Sequence, residues 1–193
     1  ILDLDATVKC LYGKQEGAVV GYNPKKPGRP AHSYHSALMA NTRLALAVDV
    51  LPGNETAPLH GMPGIWAWLD ALPKEARPAV LRGDVAYGSE SVLCAAEARA
   101  QPYLTKLRLT KNVKALIKTL FRSNAWEEAG QGWEGVEDTL MLSGWSRTRR
   151  VIVLRRALTG EMLLTGKDDD QELLAFIESD VPTKRYEYAV LVT

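Results

Sequence analysis

The first eight residues, Ile1-Leu2-Asp3-Leu4-Asp5-Ala6-Thr7-Val8, constrain the fold more than any other stretch. Apolar and acidic side chains alternate, and a β-branched tail follows. In an extended strand Asp3 and Asp5 share one face, and Leu2 and Leu4 share the other. Carboxylates are costly to desolvate unless they are paired or metal-bound. Two readings follow. One is an exposed edge strand with a solvated acidic face. The other is a metal-binding or nucleophilic carboxylate at the head of a catalytic domain.

With 193 residues, the chain suits one domain with room for an inserted subdomain and a sizeable core. No apolar run approaches a membrane span. The chain begins at Ile1 and ends inside the apolar run Tyr188–Thr193, so both ends are expected to be cut from a longer protein. Cys10 and Cys94 lack metal-ligand spacing and fit reduced thiols in a cytosolic protein. A net charge of +1 gives no global argument for a polyanion partner. The charge is segregated, however. Lys106 to Arg122 carries six basic residues and no acid, and Arg147 to Arg156 carries five arginines and no acid. Such runs are either solvated faces or phosphate-binding faces.

Taken in order, Lys9 to Gly21 reads as short strands or a turn-rich hairpin. Asn23 to Pro30 reads as an exposed basic loop with Lys25, Lys26 and Arg29. His32 and His35 lack the further ligands of a closed zinc site; His35 is taken as a DNA contact or as packing. Leu44–Leu51 is nearly all apolar and is expected to be a central strand. Residues 58–72 place Leu59, Met62, Ile65, Trp66, Leu69 and Leu72 at helical spacing. A strand at 78–84 ends in Asp84, where open α/β sheets place their sites. Ser89 is expected to cap a helix to Ala100, and Thr110 one carrying Lys111, Lys114 and Lys118 on its outer face. From residue 124 the pattern turns to antiparallel β, with strands at 139–142, 150–154 and 161–165, a turn at Thr159-Gly160 and a last strand at 186–193. Asp168-Asp169-Asp170 reads as solvated helix capping.

Five local segments follow one another in a specific order. They are Leu2 to Val8, Gln15-Glu16-Gly17, the Gly21-Tyr22 and Tyr34-His35 stretch, Leu51-Pro52-Gly53-Asn54, and Leu81-Arg82-Gly83-Asp84-Val85-Ala86-Tyr87. Together with Trp145, Arg149-Arg150 and Tyr188 to Thr193, they resemble the DDE transposases of bacterial insertion sequences. That resemblance implies an α/β fold: a ribonuclease-H-like mixed sheet with flanking helices and an antiparallel β insertion. Residues 1–123 would form the first part of the core and 124–166 the insertion. Residues 167–193 would return to the core, stopping before the final catalytic helix. It also implies Asp5 and Asp84 as catalytic metal ligands for two Mg²⁺ (or Mn²⁺) ions, Asp5 bridging both and Asp84 holding one. The third acid is expected beyond Thr193; Glu172 and Glu178 do not fit it. Lys25, Lys26, Arg29, His35, Lys111, Lys114, Lys118, Arg149 and Arg150 are the DNA-binding candidates. The implied partners are element ends and target DNA, with a homodimer in the full-length protein, in the bacterial cytoplasm at the nucleoid. Asp3-Leu4-Asp5-Ala6-Thr7 also matches haloacid-dehalogenase-like phosphatases, with Asp3 as nucleophile and Asp5 as acid/base. A third reading is a non-catalytic DNA-binding or assembly module.

Overall fold

The computed structural model describes residues 1–23, 26–158 and 186–193. The chain forms two compact units, Ile1–Thr105 and Lys106–Thr193. The expected boundary at residue 123 falls inside the second. Strands predominate and helices are few, so the class is mixed α/β.

The first unit opens with β1 (Leu2–Cys10), followed by β2 (Val19–Val20), β3 (Pro30–Met39) and β4 (Leu44–Pro52). After a short helical turn at Ala57–Gly61 come α1 (Met62–Ala71), β5 (Leu81–Gly83), α2 (Glu90–Ala98) and β6 (Tyr103–Lys106). The strand order is β2-β3-β1-β5-β6, and β4 also pairs with β3. β1 is antiparallel to β3 through nine residue pairs, Leu2↔Met39 to Cys10↔Ala31. It is parallel to β5, and β5 is parallel to β6.

The period-two reading of β1 holds. Leu2 and Leu4 are buried, Asp3 is half-buried, and Asp5 is exposed. Ala37 on β3 and Leu81 on β5 are buried too. From α1 and α2, the buried residues are Met62, Ile65 and Leu69, and Val92, Leu93 and Ala96, as helical spacing requires. A fully buried leucine contributes about 1.5–3 kcal/mol. Arg99, at the end of α2, ties the two helices together. Its Nε and Nη2 donate to the Asp70 carboxylate at 3.0 and 2.9 Å, and its guanidinium lies 5.0 Å from the Trp66 ring.

Two expectations change here. β4 is an edge strand rather than a central one, pairing among the described residues only with β3. Leu44, Leu46, Val48 and Val50 are 42 to 59% exposed. An apolar run alone does not separate a strand buried on both faces from an edge strand. Leu59, expected on the buried helical stripe, is exposed, because the chain makes a separate turn before α1 begins.

The second unit contains α3 (Lys111–Leu120), β7 (Glu127–Gly130), β8 (Trp133–Leu140), β9 (Arg149–Ala157) and β10 (Tyr186–Val192). β7 to β10 form consecutive antiparallel pairs. β7 was not anticipated. It turns into β8 through Gly130, Gln131 and Gly132, all with positive φ, a backbone glycine tolerates best. Val151, Val153, Val190 and Val192 form the buried face of β9 and β10. The expected strand at 161–165, its turn at 159–160 and the Asp168–Asp170 triplet lie outside the described residues, as do Glu172 and Glu178. No helix among the described residues is long and apolar enough to cross a membrane.

Candidate functional site

Register brings Asp5 and Asp84 together. The parallel pairing of β1 with β5 matches Leu2 with Leu81, Asp3 with Arg82, and Leu4 with Gly83. Asp5 and Asp84 are each the next residue along, on strands about 4.8 Å apart. Both are exposed. Thr7 Oγ1 donates to Asp5 Oδ2 at 2.7 Å, and the Ala86 N–H donates to Asp84 Oδ1 at 2.9 Å. Asp84 thereby caps the helical turn Val85–Tyr87.

Tyr87 completes the cluster. Its ring is 2% exposed and packs on Gly83 so closely that a Cβ there would sit 2.8 Å from Tyr87 Cβ. Burial first, then the negative charges of Asp84 and Asp5, raise its hydroxyl well above the usual tyrosine range. The phenol therefore stays neutral and feels both carboxylates. Tyr87 had no role assigned from the sequence.

Asp3 is engaged differently. Arg82 Nε donates to Asp3 Oδ1 at 2.6 Å and Arg82 Nη2 to Oδ2 at 2.7 Å. Both carboxylate oxygens are held by one guanidinium, which blunts Asp3 as a nucleophile. A shared offset was the signal in the sequence: Asp3 precedes Asp5 by two residues, as Arg82 precedes Asp84.

Among the described residues, no group of three or more His, Cys, Asp or Glu side chains could hold a metal ion. Asp5 and Asp84 are the carboxylates of this face that could hold a Mg²⁺ ion. That ion takes one or two carboxylates and completes its shell with water and phosphate oxygens.

The DNA-binding candidates separate into groups. Lys25 lies outside the described residues. Lys26 and Arg29 are exposed and flank the Tyr12 ring, at 5.1 and 5.5 Å from its centroid, and Lys26 Nζ also bonds the Tyr12 hydroxyl. On α3, Lys111 and Lys118 are exposed and Lys114 is half-buried. His35 and Arg149 are buried, at 5% and 4% exposed. His35 Nε2 shares a hydrogen bond with Ser33 Oγ at 3.0 Å, and Arg149 lies 4.9 Å from the Trp145 ring centroid.

The acid-free arginine run is not acid-free in space. Glu137 on β8 pairs with Arg150, Glu134 on β8 with Arg155, and Glu187 on β10 with Arg156. Arg155 also lies 3.9 Å from the Trp126 ring and 5.0 Å from that of Tyr186, and Arg156 lies 4.7 Å from that of Trp133. These arginines belong largely to the sheet's own cohesion.

No family model matches the chain. No curated protein matches it either. Among solved structures, it is similar to a chain described as a piggyBac transposase synaptic complex with hairpin DNA. The TM-score is 0.44 at 14% identity, covering 99% of this chain and 32% of that one.

Proposed function

We propose that the chain is the catalytic part of a DDE-type transposase, a ribonuclease-H-like domain that cleaves DNA strands and transfers them. One observation carries the reading. Asp5, inside β1, and Asp84, just past the end of β5, each follow the last paired residue of the parallel ladder, both exposed, with Tyr87 sensing both. In this reading residues 1–123 belong to the core and 124–166 to its β insertion.

The geometry suits in-line displacement at a phosphodiester, in which charge builds on the attacking and leaving oxygens. Bound Mg²⁺ or Mn²⁺ would supply stabilisation of both. Asp5 and Asp84 would hold the ions, steadied by the Thr7 hydroxyl and the Ala86 N–H. Neutral Tyr87 would keep the floor of the site dry and uncharged. Lys26, Arg29, Lys111, Lys114 and Lys118 would meet the DNA backbone, with Lys25 beside them. Cytoplasmic, nucleoid-associated DNA of a bacterial insertion sequence is the proposed setting, with a homodimer at the element ends.

The test is Asp5→Asn and Asp84→Asn in the full-length protein. Each should abolish metal-dependent nicking at element ends while leaving salt-sensitive DNA binding intact. Persistent nicking in Asp5→Asn would refute the assignment. Loss of activity in Asp3→Asn alone, with Asp5→Asn still active, would favour the phosphatase chemistry. Nicking in neither the parent nor any variant, with DNA binding retained, would favour a binding module.

A further inference from the structure

The ladder that aligns the two carboxylates is short. β5 meets β1 through only three residue pairs, whereas β3 holds β1 through nine. Hydrophobic burial does not set the register of β5 by itself. Side chains alternate with period two, so a slip of two residues would keep Leu81 on the buried face, opposite Leu4 in place of Leu2. That slip would carry Asp84 about 6.6 Å along the strand, away from Asp5.

One side-chain pair distinguishes the two registers. Asp3 and Arg82 lie directly opposite each other, and the guanidinium grips both carboxylate oxygens. A planar two-point contact fixes orientation as well as distance. Each partner lies two residues before a site carboxylate, so all four side chains share one face. The pair is neutral as a unit and leaves the charge of the site to Asp5 and Asp84. The Arg82 side chain is 53% exposed and that of Asp3 27%, a setting in which ion pairs add little to global stability. What remains for it is alignment.

We propose that the Asp3–Arg82 pair is a positioning clamp: it sets the register of β5 on β1 that places Asp84 beside Asp5. The inference rests on the reading of those two acids as a metal-binding pair. Arg82 and Asp3 are positioning residues and touch no substrate.

The experiment uses the 193-residue chain and Mn²⁺ alone, followed by the electron paramagnetic resonance of the free ion, with urea unfolding in parallel. Asp3→Ala combined with Arg82→Ala removes one charge of each sign, so net local charge is unchanged. It should weaken Mn²⁺ binding by about tenfold, the usual effect of losing a group that orients ligands, and barely move the urea midpoint. The exchange Asp3→Arg with Arg82→Asp should bring affinity back to within about threefold of the parent, since the fork is rebuilt. Arg82→Lys keeps the charge, loses the fork, and should fall between; it decides the matter if the double alanine variant does not fold. Parent-like Mn²⁺ affinity in the double alanine or the lysine variant would overturn the clamp. Asp5→Asn separates the two claims. If it abolishes binding while the clamp variants do not weaken it, the clamp fails and the site stands. If it binds as the parent does, the metal-site reading fails and the clamp falls with it.

Discussion

Gly83 is the sharpest point at which a single added carbon tests the site. An alanine Cβ there would lie 2.8 Å from Tyr87 Cβ and 2.9 Å from Cγ and Cδ2. Carbon atoms prefer about 3.5–4.0 Å, so the overlap is severe. The neighbours are the root of a ring that is 2% exposed, and it has no open direction in which to swing. Overpacking of this kind costs about 1–3 kcal/mol. Replacing a strand glycine by alanine recovers about 0.5–1 kcal/mol. The net expectation for Gly83→Ala is a loss centred on about 1 kcal/mol and reaching about 2.5 kcal/mol, roughly a fivefold fall in the folded-to-unfolded ratio at the centre. The control is Gly64→Ala in α1, where nothing lies within 4 Å of the added carbon. It should stabilise by about 0.5–1 kcal/mol. Urea unfolding at unchanged slope measures both. The same chemical change should thus act with opposite signs at the two positions. A Gly83→Ala midpoint equal to or above the parent's would refute the close packing of Tyr87 on β5.

Three other perturbations probe the rest of the molecule. Arg155→Lys removes the flat guanidinium between Trp126 and Tyr186 and should cost about 1–2 kcal/mol; a change under about 0.5 kcal/mol, the range of an ordinary surface substitution, would show that the stack is incidental. Burial holds the His35 imidazole below its usual range, opposed by Asp49. The unfolded chain gains that proton near pH 6.5 while the folded ring resists it, so stability should fall as pH drops below about 6.5. His35→Asn should flatten that fall when urea midpoints at pH 7.5 and 5.5 are compared, and an unchanged difference would exclude His35 as its source. For DNA, Lys26→Gln with Arg29→Gln should reduce the slope of log affinity against log salt by about 1–2, whereas Arg150→Gln, already paired with Glu137, should leave it unchanged. Equal effects from both variants would put the arginine run back on the DNA.

Much of the first unit was legible in the chain. Alternation in Leu2–Asp5 placed the buried and acidic faces of β1, and helical spacing found Met62, Ile65 and Leu69 in the core. Periodicity reports which face of an element is apolar, because that property is local. It does not report what lies across from a side chain. β4 therefore read as central although it is an edge, and β7 went unread because its four residues carry no apolar pattern.

The sequence by itself determined the strand and helix types, the two acids worth nominating and the offset they share with Asp3 and Arg82. Only the tertiary structure decided partnership. It bonded Arg82 to Asp3 across 79 residues of chain, and it set Glu134, Glu137 and Glu187 against arginines that looked unopposed. The physical reason is that Coulomb and hydrogen-bond energies depend on separation in space, and a sheet makes neighbours of residues that are remote along the chain.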